Sequence, residues 1–210
     1  MYNSITALTL LAGFAAAAPR PIIPFVTGNP IIELSKSPVS VVTARQNACF
    51  VIGSTTLPEE VADSVTAIEN SITCDTSTTT ISGVPDVTSG NVKFSDIDFS
   101  QSSQTPLEFA LSTFATEDNL ADSDLQTFQD QLNVYLATEA GIRSVAGSLA
   151  IKVPKFFLEM QISRIQTAQG NPPTAAGLQV DHLVEKVTKN AASEDQALLD
   201  QVTALGTQTS

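Results

Sequence analysis

Few side chains in this sequence are of the kinds that do chemistry. There is one histidine, His182, and it stands beside Asp181. A serine–histidine–acid site needs its nucleophile on a strained turn, and no G-x-S-x-G is present. His182 therefore reads as a helix-surface residue. Asp96 and Asp98 open a D-x-D-x-S string like the start of an EF-hand loop. Its sixth position is Gln101 where such a loop needs glycine, and its twelfth is Leu107 where it needs glutamate. The two acids read as solvated strand or turn residues. Asp98 and Glu108 have the types of a glycosidase pair. With no tryptophan and two tyrosines, however, the chain offers few rings for a sugar to stack on. These residues give no catalytic constellation, no metal-ligand set and no cofactor motif, and the chain reads as a non-enzyme.

Glu139 and Arg143 are more informative. They lie within Ser123–Gln169, the longest stretch with sustained helical periodicity. Ser123 and Gln126 have the spacing of a capping box. Leu125, Phe128, Leu132, Tyr135, Leu136 and Ile142 then fall on one face. Glu139 interrupts the centre of that stripe, with Arg143 on its edge four residues on. A carboxylate there must be paired, protonated or wet. One reading is an i, i+4 ion pair that fixes helix register. The other is a polar point in an internal cavity, where Arg143 takes the anionic head of a ligand.

Gly141 and Gly147 interrupt the stripe, so the helix is expected to end near one of them or to run on to Pro154. A second helix is predicted from Pro154 to about Ala168, with proline in its first turn. Phe156, Phe157, Leu158, Met160, Ile162 and Ile165 cover most of its circumference, which predicts a central, buried helix. Lys155, Glu159, Ser163 and Gln166 form a narrow polar strip. Phe156, Phe157 and Met160 join Glu139 and Arg143 as candidate ligand-cavity residues.

The elements around this core follow from shorter signals. Pro58 to Ile72 predicts an amphipathic helix through Val61, Val65, Ile68 and Ile72. Thr76 to Gln104 shifts to Ser, Thr, Gly and Asp. There TSTTTIS and NVKFSDIDFS suit strands, with Gly83, Pro85 and Gly90 punctuating the loop between them. Thr105, Pro106 and Glu108 predict a capped helix start. Further helices are expected after the double proline at 172–173 and after Ser193. The predicted fold is mainly α, a helical bundle of five to six helices with a small β element near residues 76–99. Cys49 and Cys74 are the two cysteines, and they read as a disulfide. Residues 49–56, extended as a first strand, would run back along the first helix to let them meet.

The amino terminus predicts export. Ile5–Ala18 is a short apolar run ending in small residues of the A-x-A kind, so residues 1–18 read as a signal peptide. It is too short for a transmembrane helix, and none is expected elsewhere. Residues 19–45 are proline-rich, with prolines at 19, 21, 24, 30 and 38. They read as a pro-segment removed after Arg45 or as an extended arm. Residues 46–210 then form a single acidic helical domain. The whole chain has a formal charge of −12, and Arg20, Lys36 and Arg45 against Glu33 give the lead segment +2, which leaves −14 beyond it. Such a balance repels nucleic acid and anionic lipid.

The export signal, the proline-rich lead to Arg45, the cysteine pair and the segment TEAGIRSVAGSLAIKVPKFF resemble the small secreted proteins of filamentous ascomycete fungi. The resemblance implies a secreted protein, extracellular or associated with the cell wall, without an assigned activity. Secreted fungal hydrophobic-surface-binding and cell-wall mannoproteins are also helical and acidic, and they include lipid binders. Two functions are expected. The export signal with the missing catalytic inventory points to a non-enzymatic protein acting at a host or other surface on an unknown extracellular partner. The nearly all-round apolar helix at Phe156–Ile165 points to a carrier of fatty-acid-like hydrophobic small molecules in the helical core.

Overall fold

The computed structural model describes residues 48–209. The expected signal peptide and pro-segment lie outside the described residues. Six α-helices and a three-stranded sheet make up the architecture: α1 (Glu59–Ile68), β1 (Ile72–Thr79), β2 (Pro85–Ser89), β3 (Val92–Lys93), α2 (Pro106–Thr113), α3 (Leu125–Ser144), α4 (Lys152–Ala168), α5 (Val180–Asn190) and α6 (Gln196–Gly206). The mainly α fold with a small β element is thus observed.

Helix α4 is the axis of the bundle and packs against α2, α3 and α5. Twelve of its 17 residues are buried, the highest share of any helix here. Its start lies two residues earlier than Pro154, which falls within the first turn. Helix α3 ends at Ser144, between the two glycines that interrupt its stripe. Gly141 does not break it. A Cβ there would lie 2.6 Å from the Phe50 carbonyl oxygen and 2.7 Å from Val84, so glycine lets α3 press onto the chain beneath.

Local signals are confirmed where their partners are near in sequence. The Thr105 hydroxyl accepts from the Glu108 N–H while the Glu108 carboxylate accepts from the Thr105 N–H, the capping box expected at α2. At α3 the expected cap is displaced by one residue. Asp124 accepts from the Gln126 N–H, and the buried Ser123 hydroxyl instead accepts from the Glu117 N–H.

The β element also differs from expectation. Pro85–Ser89, read as part of a loop, is the central strand of the antiparallel order β1-β2-β3. Pro85 begins the strand, where a missing N–H is tolerated. Residues 92–93 alone of NVKFSDIDFS are strand, and Phe94–Ile97 turns into a 3₁₀ segment. Asp86 fixes that turn by accepting from the Ser95 N–H and hydroxyl. Tyr135 of α3 packs edge-on against Phe94 and Phe114, and its hydroxyl donates to the Ile97 carbonyl at 2.7 Å. That contact ties the sheet's exit to the helical core.

The Cys49–Cys74 disulfide is present, with Cα atoms 6.1 Å apart. In the chain-entropy account a loop of this size stabilises by roughly 3 kcal/mol. Its setting differs from expectation in two ways. Residues 49–56 form no strand, and α1 ends at Ile68, so that Ile72 and Cys74 belong to β1. The bond joins the entry of the domain to the sheet, where Cys74 pairs with Val87.

Candidate functional site

A cleft of about 440 Å³ opens between α1, α3, α4 and α5. That volume is within the range of small-molecule sites. One wall comes from α1, whose first-turn Glu59 and Glu60 complement the positive end of their own helix. The lining from α3, α4 and α5 is basic. Arg143, Lys152, Lys155 and Lys186 belong to it, four of the seven lysines and arginines among the described residues.

The wall is built on a buried ionic chain. Arg143 Nε lies 2.8 Å from Glu139 Oε1, and Lys155 Nζ lies 2.9 Å from Glu139 Oε2. Lys155 also approaches Glu159 at 3.7 Å. Burial opposes the charge of Glu139, but Lys155 and Arg143 outweigh it and hold its carboxyl below the ordinary value. Burial opposes the Lys155 ammonium as well, yet Glu159 and Glu139 raise it above its usual range. Glu159 goes the other way. Burial dominates there, its contact with Lys155 is the longer one, and Glu139 repels it, so its carboxyl is pushed up.

Lys152 and Lys186 have a different standing, with no ion-pair partner among the described residues. Both lie near the Phe156 ring, with Nζ 5.9 and 5.8 Å from its centroid, while Lys155 sits 4.2 Å from it. Burial and the nearby Arg143 lower the pKa of Lys152.

The sequence-predicted cavity residues divide. Glu139, Arg143 and Phe156 line the cleft. Phe157 and Met160 are fully buried in the hydrophobic core and are not among the lining residues. Lys155, Glu159 and Ser163 of the narrow polar strip are buried, and Ser163 donates to the Leu178 carbonyl. His182 lines the cleft as well. The acids considered for catalysis hold structure: Asp98 caps a 3₁₀ turn at the Ser100 N–H, and Glu108 closes the α2 capping box. Reading by residue type missed Lys152 and Lys186. The available signal was two lysines, Lys152 and Lys155, at the amino-terminal end of α4 with no acid in its first turn, the reverse of what the helix dipole favours.

Among the described residues no group of three His, Cys, Asp or Glu side chains is placed to hold a metal ion, and no helix is long and apolar enough to cross a membrane. No curated protein and no solved structure matches the chain. A family model described as a domain of unknown function (DUF7143) matches residues 51–210, every element of the cleft included, and the chain belongs to that family.

Proposed function

We propose that this is a secreted, non-enzymatic binding protein of the cell exterior or wall, whose ligand site is the cleft between α1, α3, α4 and α5. One observation carries the reading: an acidic chain of net charge −12 gathers most of its described cations in one cleft, and two of them have no carboxylate partner among the described residues. Placing like charges together without neutralising them costs stability, and such local conflict is expected at functional sites. Export is supported by the amino-terminal pattern of residues 1–18 and is compatible with the disulfide. The likeness to small secreted fungal proteins points the same way. Fractionation of a culture of the source cell tests export, since retention of the full-length chain inside the cell would sink it. Turnover of an ester or polysaccharide that vanishes in a Glu159→Gln variant would overturn the non-enzymatic reading.

A second reading, a carrier of fatty-acid-like ligands, is favoured by the apolar surface beside the cations. Leu136, Phe156 and Leu183 line the same cleft as Arg143. The ligand would then lie in the open cleft rather than in the helical core, which Phe157 and Met160 help to fill. Solvent extraction of the purified protein followed by mass spectrometry separates the readings. A co-purifying amphiphile supports the carrier, and calorimetry showing no fatty-acid binding removes it.

A further inference from the structure

With the cleft taken as the ligand site, we propose that it binds an organic dianion, a phosphomonoester on a small apolar body, with Lys152 and Lys186 on the phosphate and Phe156 against the body. Charge balance selects the dianion. The lining residues from α3, α4 and α5 comprise four cations, Arg143, Lys152, Lys155 and Lys186, and two buried carboxylates, Glu139 and Glu159, while Glu59, Glu60 and Asp63 line the cleft from α1. Even with Glu139 and Glu159 ionised, the α3, α4 and α5 side keeps two positive charges, those of Lys152 and Lys186. A monocarboxylate would neutralise one of them, whereas a phosphomonoester carries close to two negative charges at neutral pH.

The two unpaired cations are also of the type that suits phosphate. Arginine favours the planar, two-point grip of a carboxylate, and Arg143 already engages Glu139 through Nε. The lysine ammonium is a compact point charge on a flexible stem. Two of them, on different helices and both near Phe156, can reach one tetrahedral group.

Helix α4 adds to the attraction. Its positive dipole end lies at Lys152. The backbone there is already satisfied, because the Lys152 and Val153 N–H groups donate to Leu149 and Ala150. Side chains, not a nest of free amides, therefore make the contacts. Glu59, Glu60 and Asp63 line the same cleft from α1. The principal charges acting on Lys152 are Arg143, Glu139, Lys155 and Lys186, none of them from α1. Leu136 and Leu183 continue the apolar surface beyond Phe156 for the body of the ligand.

Calorimetry on the intact, disulfide-bonded protein tests this with phenyl phosphate, benzoate and octanoate, in low and moderate salt. Phenyl phosphate is expected to bind at least about tenfold more tightly than benzoate, which shares its ring but carries one charge. Lys152→Gln and Lys186→Gln should each weaken phenyl phosphate about tenfold and flatten its salt dependence, while their melting temperatures stay near wild type. Arg164→Met, distant from the cleft wall, should leave the affinity unchanged. Benzoate or octanoate binding as tightly as phenyl phosphate, and weakened by the same lysine substitutions, would overturn the dianion while leaving the cleft as the site. Phenyl phosphate binding that is indifferent to both lysines would overturn it by placing the ligand elsewhere. Silence from all three probes would remove the dianion and the cleft together.

Discussion

Helix α4 buries charge at both ends, in opposite ways. Toward its amino terminus Lys155 and Glu159 join Glu139 in an ionic chain beside a cleft. Toward its carboxy terminus Arg164, also buried, meets no carboxylate among the described residues. Its Nε donates to the Gln208 carbonyl at 3.0 Å, its Nη1 donates to the Gln161 side-chain oxygen, and Gln161 in turn donates to the Phe114 carbonyl at 2.8 Å. Arg164 thus clamps the chain beyond α6 and the end of α2 onto the central helix. Neutral oxygens close its hydrogen bonds, and burial lowers its pKa. The contrast shows that a buried charge does not by itself mark a site. The amino-terminal cluster differs because cations remain there after every ion-pair partner among the described residues is counted, and because they line a cleft.

Removing the cation at the centre of each region should separate them most. Lys155→Met leaves Glu139 and Glu159 buried without their shared ammonium and should cost roughly 3–5 kcal/mol in urea unfolding. Arg164→Met strands only neutral acceptors, so about 1–3 kcal/mol is expected, with earlier amide exchange at the end of α6. Equal losses would mean that the two ends of α4 bury charge on the same terms.

A pH series sharpens the comparison within the cleft cluster. Glu159 has its folded pKa raised above the ordinary 4.5. The native state therefore binds its proton more tightly than the unfolded chain does, and stability falls as pH rises from about that value through the folded pKa. Glu139 is lowered from 4.5, so its contribution is present above that value and is lost as pH falls through the folded pKa. Unfolding free energies of Glu159→Gln between roughly pH 4 and pH 8 should lose the decline at rising pH and keep the acid-side loss. A wild-type curve without any decline above the ordinary glutamate value would contradict this assignment.

The smallest effect should come from Lys152. Replacing it by glutamate relieves crowding among cations and suits the helix amino terminus, so the free protein should gain about 0.3–1 kcal/mol. A loss of stability instead would show that Lys152 supports the fold, like Arg164, rather than opposing it.

What was legible in the sequence follows the reach of each signal. The Thr105–Glu108 capping box and the Glu139–Arg143 pair involve residues three and four apart, so helical geometry alone brings them together. The Ser123 hydroxyl was assigned to the wrong partner because a folded-back chain offered the Glu117 N–H first. Pro85 and Gly90 read as loop punctuation, yet they border a central strand, since β1 and β3 supply its pairing from outside that window. Lys155, Glu159 and Ser163 did fall in one strip. Period identifies a common face, but it does not say whether water or another helix lies opposite.

The sequence by itself determined the helices, the buried centrality of α4, the cysteine pairing and the adjacency of Glu139 and Arg143, because each depends on local spacing, apolar periodicity or having a single pair to join. Only the tertiary structure decided that Lys155 reaches Glu139 from the next helix, which turns a simple pair into a chain in which Glu139→Leu would leave both Arg143 and Lys155 without that carboxylate. It alone also brought Lys152 and Lys186, 34 positions apart, to the same aromatic ring. Charge compensation is a sum over all neighbours in space, so which cations remain without a partner is settled only when the helices are packed.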